Sequence, residues 1–106
     1  MSYVILFEAV PNPGREEDYL ALAAPLNDLL PQQPGFISID RSRSITTEGK
    51  IVSISHWESE EAIEAWLQHP RHREVQRKAK EGIFQSMRIT RLKLLSSREV
   101  PTAPPG

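Results

Sequence analysis

Few side chains in this sequence have the type and setting to do chemistry. They are three histidines (His56, His69, His72), two strand carboxylates (Glu8, Asp40) and the tryptophan Trp66. His69 and His72 stand three residues apart, with Pro70 between them and Glu74 close by, a spacing that could make a metal pair. Hydrolytic and structural metal sites take three or four ligands, often thiolates or further carboxylates. The chain has no cysteine, so the pair reads as two solvated polar residues at a helix start, and no metal is expected. His56 shares a strand face with Val52 and Ile54. It is either a base or hydrogen-bonding group in a pocket, or a partly buried imidazole satisfied by a carboxylate or a backbone group. Glu8 is the one charge in the apolar run Tyr3 to Val10. It is either an acid facing a cavity, with its pKa raised, or the partner of an arginine such as Arg88 or Arg41. Trp66 lies one turn from Ile63 on an apolar helix stripe. It is either core filler or the flat wall of a cavity between helix and sheet.

Several chemistries have no support. No serine is flanked by the glycines of a G-x-S-x-G elbow, and no G-x-G-x-x-G or P-loop is present. The basic run Arg71, Arg73, Arg77, Lys78, Lys80 has no interleaved aromatic platform and is balanced by the acidic stretch from Trp57 to Glu64. It reads as solvated helix surface and not as a nucleic-acid site. The formal net charge is −1, so no global field pulls the chain toward nucleic acid or an anionic membrane. Apolar runs are only a few residues long, too short to span a bilayer, and the start lacks signal-peptide character. Without cysteine or a leader, the expected setting is cytoplasmic.

The elements that must position these groups follow from periodicity. At 106 residues the chain is one domain, expected over residues 1–95, with a flexible proline-rich tail over 96–106. Tyr3 to Val10 reads as a central strand, apolar on both faces. After Pro11-Asn12-Pro13-Gly14 comes a helix whose stripe is Tyr19, Leu20, Leu22, Ala23, Leu26, Leu29 and Leu30, and which Pro25 should kink or split. Phe36 to Arg41 and Ile51 to Trp57 are strands joined by a loop containing Gly49. Ser59 caps a second helix with Ile63, Trp66 and Leu67 on its apolar side; Pro70 breaks it and starts a charged helix to Gly82. Gln85 to Leu95 is the last strand. The order β-α-β-β-α-β predicts an α+β, ferredoxin-like domain with a four-stranded antiparallel sheet. Helices cover one face of such a sheet only. Strand one is apolar at both Tyr3/Ile5/Phe7 and Val4/Leu6/Val10, so the open face calls for a second copy related by a two-fold axis.

Three segments resemble the antibiotic biosynthesis monooxygenase domain family of dimeric α+β barrel proteins. They are Pro34-Gly35-Phe36, the run from Ser53 to Ser59 leading into Ala62 to Trp66, and His69 to Gln76 followed by Ile83-Phe84. The resemblance spans residues 3 to 95 and rests on order and spacing rather than on one motif. It implies a homodimer paired through its sheets, a small-molecule pocket between sheet and helices, and no cofactor. Some members oxidise aromatic phenols with dioxygen and neither metal nor flavin, holding a deprotonatable aromatic in a dry pocket. Trp66 falls on the tryptophan shared by those oxygenases and the haem-degrading relatives. The haem degraders also use an asparagine on the first strand and a histidine on the second helix, where this chain has Glu8 and Gln76.

The resulting expectation is a cofactor-independent monooxygenase acting on a small aromatic, phenolic or quinone-type compound. Trp66, His56 and Glu8 are the candidate catalytic groups. Phe36, Trp66, Phe84 and His72 are the candidate ligand contacts. The alternatives are a non-catalytic ligand-binding or stress-response dimer and, third, a haem-binding relative.

Overall fold

A computed structural model describes residues 2–105. The elements are β1 (Ser2–Pro11), α1 (Glu16–Leu29) with a 3-10 turn over Leu30–Gln32, β2 (Phe36–Arg43), β3 (Ile51–Trp57), α2 (Glu60–Leu67), α3 (Pro70–Ala79) and β4 (Phe84–Leu94). The four strands form one antiparallel sheet in the order β2-β3-β1-β4, the ferredoxin-like α+β arrangement. Its helices lie on one face.

The register assigns every strand side chain to a face. Tyr3, Ile5, Phe7 and Ala9 of β1 sit opposite Trp57, Ser55, Ser53 and Ile51 of β3, and opposite Lys93, Arg91, Ile89 and Met87 of β4. These residues face the helices. Val4, Leu6 and Glu8 sit opposite His56, Ile54 and Val52, and opposite Leu92, Thr90 and Arg88. These face away.

Two apolar clusters hold the layers together. One gathers Ile5, Leu30, Trp57, Ile63 and Trp66; the other gathers Ala9, Ala79, Ile83 and Phe84. Trp57 is fully buried, and its indole N–H donates to Ser55 Oγ at 2.9 Å. A buried indole donor is thus satisfied within its own strand.

Local signals explain most boundaries. Ser59 Oγ accepts from the Ala62 N–H at 3.1 Å and caps α2. His69 caps α3 through Nδ1, which accepts from the Arg71 N–H at 3.1 Å, and Pro70 takes the first helical position. Gly35 has φ +81°, and a Cβ there would come within 2.5 Å of Ala62 Cβ. Only glycine lets the start of β2 pass this close to α2.

Some details depart from the sequence reading. Pro25 does not split the first helix, which runs unbroken from Glu16 to Leu29. Ala21, whose carbonyl loses its donor to Pro25, is exposed, so water can satisfy it. Leu20 is 46% exposed and lies off the buried stripe. The charged helix ends at Ala79, short of Gly82, and the last strand begins at the buried Phe84 and ends at Leu94. Residues 95–105 form no helix or strand, and their side chains are exposed.

Candidate functional site

Between the helices and the covered sheet face lies a cavity of about 90 Å³. Two aromatic groups wall it. On one side Trp66 stacks on Trp57 (centroids 6.3 Å apart, 28° between planes) and meets the His72 ring at 5.0 Å. On the other, Phe7, Tyr19 and Phe84 pack together, with Tyr19 and Phe84 at 4.7 Å. Aliphatic residues such as Ile5, Leu26, Leu30 and Ile89 fill the space between.

The polar lining is sparse. It comprises His72 and Gln76 from α3, Asn27 and Tyr19 from α1, Arg41 from β2, and Ser53 and Ser55 from β3. Helical spacing explains the α3 contribution: His72, Gln76 and Ala79 fall on one face, one turn apart. Strand parity explains Arg41, which lies two residues beyond Ile39 and opposite Ser53. Its guanidinium donates to Asn27 Oδ1 at 2.5 Å. Burial raises the Tyr19 hydroxyl above its ordinary pKa, with the Arg41 charge acting in the opposite sense.

His72 is the most unusual group. Its Nδ1 is buried and has no hydrogen-bond partner among the described residues. Burial lowers its pKa from 6.5 to about 4; the Leu67 carbonyl opposes the shift and the nearby His69 adds to it. The imidazole is therefore neutral at pH 7. A neutral imidazole has one donor and one acceptor nitrogen, and Nδ1 is the one left unpartnered. The reading of His69 and His72 as two solvated residues is corrected here. Only part of that pair is peripheral, because the turn from Leu67 to Pro70 rolls His72 beneath Trp66. Among the described residues no cluster of His, Cys, Asp or Glu could hold a metal ion.

The structure brings some of the sequence candidates together and separates others. Trp66, Phe84 and His72 line the cavity. Phe36 does not; it meets Trp57 edge-on at 5.4 Å, one ring behind the cavity wall. His56 and Glu8 lie on the opposite face of the sheet, separated from the cavity by the sheet itself. Glu8 pairs with Lys50 at 2.6 Å, where the sequence pointed to an arginine. The Lys50 contact outweighs burial and holds the carboxyl below its ordinary pKa, and Arg88 adds to this. Glu8 borders a separate pocket with Thr47, Lys50 and Arg88, on the other side of the sheet from Trp66, and its pKa shift is downward rather than upward. Gln76 lines the cavity and Glu8 does not.

Tyr19, Asn27 and Arg41 are site residues that the sequence reading does not single out. Their signal is present all the same: Tyr19 and Asn27 are polar interruptions in an apolar stripe, and Arg41 keeps the parity of Ile39. No helix among the described residues is long and apolar enough to cross a membrane.

Comparison with known proteins places this geometry. The chain is 29% identical over 87 residues to the jasmonate monooxygenase ABM of Pyricularia oryzae, and 25% identical over 87 residues to the uncharacterised protein YqjZ of Bacillus subtilis. The matched region is 82% of this chain in both cases, and it spans 40% of the length of the first relative and 74% of the second. Among solved structures, Rv0793 from Mycobacterium tuberculosis superposes with a TM-score of 0.82 at 17% identity, covering 93% of this chain and all of that one. A mutant of SnoaB, a cofactor-independent oxygenase from Streptomyces nogalater, superposes with a TM-score of 0.76 at 12% identity, covering 91% and 95%. At these identities the structural likeness speaks for the fold. The sequence model of the antibiotic biosynthesis monooxygenases matches residues 2–78, from the first strand through most of α3, and the chain belongs to that family.

Proposed function

We propose that the protein is a cofactor-independent monooxygenase acting on a small phenolic or quinone-type compound held beside Trp66. The observation that carries this reading is the unpartnered Nδ1 of His72 in an apolar, aromatic-walled cavity. A buried polar nitrogen without a partner costs about 1–3 kcal/mol. A guest hydroxyl would remove that cost. Trp66 and Phe84 offer ring faces to an aromatic body, and the unpartnered Nδ1 of the neutral His72 hydrogen-bonds the hydroxyl and orients it. The water-poor lining keeps the substrate anion reactive. The phenol loses its proton to solvent, its anion gives an electron to dioxygen, the two radicals join at a carbon that bears hydrogen and take a proton back as a hydroperoxide, and loss of water leaves a carbonyl. One oxygen atom enters the product and the other leaves as water, and the substrate is the only reductant.

The open face completes the picture. Ile54 and Leu92 are 40% and 46% exposed and sit opposite Leu6 and Val4 respectively. Covering such side chains contributes roughly 1.5–3 kcal/mol each, which supports a homodimer paired sheet to sheet. A composition free of cysteine fits a cytoplasmic setting.

Oxygen uptake with a panel of one- to three-ring phenols, including a dihydroxyanthracene, tests the enzyme reading. Wild type should consume one dioxygen per substrate, and Trp66→Phe and His72→Phe should slow turnover by roughly tenfold or more, the scale of one lost positioning contact. No uptake above the solution rate with any member, alongside quenching of tryptophan fluorescence by the same phenols, would leave a binding protein instead.

A further inference from the structure

We infer that Arg41 anchors a carboxylate, so that the cavity takes small apolar or aromatic acids in preference to neutral molecules. This rests on the cavity being the ligand site. The inner cavity of about 90 Å³ adjoins an outer one of about 180 Å³, and Arg41, Asn27, Tyr19 and Ser53 line both. Arg41 therefore stands where the two meet. The first compartment alone is far smaller than the roughly 300–1,000 Å³ of ordinary ligand sites, and the two together come near the lower end of that range, so a guest that fills both passes the guanidinium.

The charge balance at that junction is one-sided. Among the described residues Arg41 makes no ion pair; its side-chain partner is the neutral Asn27 Oδ1 at 2.5 Å. Arg43, two residues along the same strand, shows the contrast, because Glu16 takes it at 3.0 Å. No acid lines the inner compartment, and Glu16, already engaged, is the one acid lining the outer. A guanidinium has five N–H donors in a planar fork that matches a carboxylate. One contact to Asn27 leaves most of that fork for a guest. Asn27 fixes the fork's direction, and the small Ser53 across the strand pair leaves room in front of it. The site thus pairs an anion anchor, Arg41, with an unpartnered polar nitrogen, His72 Nδ1, that a guest hydroxyl can meet as donor or acceptor. The chemistry that fits both is a hydroxylated aromatic or alicyclic carboxylic acid.

Calorimetric titration with 3-(4-hydroxyphenyl)propionate and its methyl ester, at pH 7.5 and low salt, tests the assignment. Wild type should bind the acid at least about tenfold more tightly than the ester, the scale of a charge-assisted hydrogen bond. Arg41→Gln should lose that preference while binding the ester within about twofold of wild type. Arg41→Lys should keep part of it. Ser53→Asp, which gives Arg41 an internal carboxylate, should abolish acid binding in a folded protein with Arg41 intact. Equal affinity for acid and ester in wild type, or an undiminished preference in Arg41→Gln, would overturn the carboxylate anchor and leave the cavity standing. Failure of wild type to bind either probe would overturn the cavity as ligand site and the anchor with it.

Discussion

The two faces of one sheet are built from alternate residues of the same strands, yet they do different work. On the covered face, two small residues lie between two large ones: Ile51 and Trp57 flank Ser53 and Ser55 along β3. The serines leave a gap that the helices roof without filling, and the gap is the cavity. On the open face, Val4, Leu6, Val52, Ile54 and Leu92 stand among polar neighbours, with Asp40 beside Ile54, Thr90 beside Leu6, and the Glu8–Lys50 pair next to Val52. The first face encloses a cavity under the helices; the second leaves apolar side chains such as Ile54 and Leu92 exposed, which the proposed pairing would cover. A candidate's role therefore turns on the parity of its position. Glu8 and His56 look as reactive as Arg41 and His72 until the pleat sends them to the other side.

The largest expected effect comes from the covered face. Trp57→Ala should remove about 3–5 kcal/mol of stability, because a fully buried ring leaves a void beneath Trp66. Urea unfolding reads it directly, and a loss under about 1 kcal/mol would mean the core does not depend on the tryptophan stack. Next is the pH dependence of His72. Its pKa is about 4 in the folded protein and 6.5 otherwise, so between those values the unfolded chain binds the extra proton. Stability should be full above pH 6.5 and fall as pH drops through 4, by on the order of 3 kcal/mol. Replacing His72 with Phe should flatten that slope, and parallel pH profiles for variant and wild type would break the assignment.

Gly35→Ala should cost about 1–3 kcal/mol, since it combines positive φ with a 2.5 Å approach to Ala62 Cβ. Pairing it with Ala62→Gly should recover the steric part, and a melting series on the single and double variants would show it. The smallest effect on the protomer's own stability belongs to the open face. Ile54→Glu should change it by no more than about 0.5 kcal/mol, as exposed positions do. Light scattering should nonetheless shift from two chains to one. An unchanged mass would break the assignment of this face as the pairing surface.

Much of the fold is legible in the sequence because each element carries its own punctuation. Ser59, Pro70 and Gly35 mark a cap, a helix start and a tight turn by chemistry that acts within a few residues. Strand alternation alone assigns Val52, Ile54 and His56 to one face, and the register agrees. The site is less legible. Trp66 stands out as an aromatic on an apolar stripe, but which carboxylates and imidazoles share its side of the sheet depends on strand order and register. Neither is encoded locally. Lys50 reaches Glu8 across the β3–β1 pair from a loop far along the chain, beyond the reach of any spacing rule.

Sequence alone determined the periodicities, the breakers, the absence of thiols and the amphipathic excess that demands two layers, because these depend on neighbours along the chain. Tertiary structure alone decided that His72 is driven under an indole with its Nδ1 buried, and that Arg41 borders two cavities with no ion pair among the described residues. Desolvation and charge pairing are properties of what surrounds a group in space, and only the folded packing of α1, α3 and the sheet supplies those surroundings.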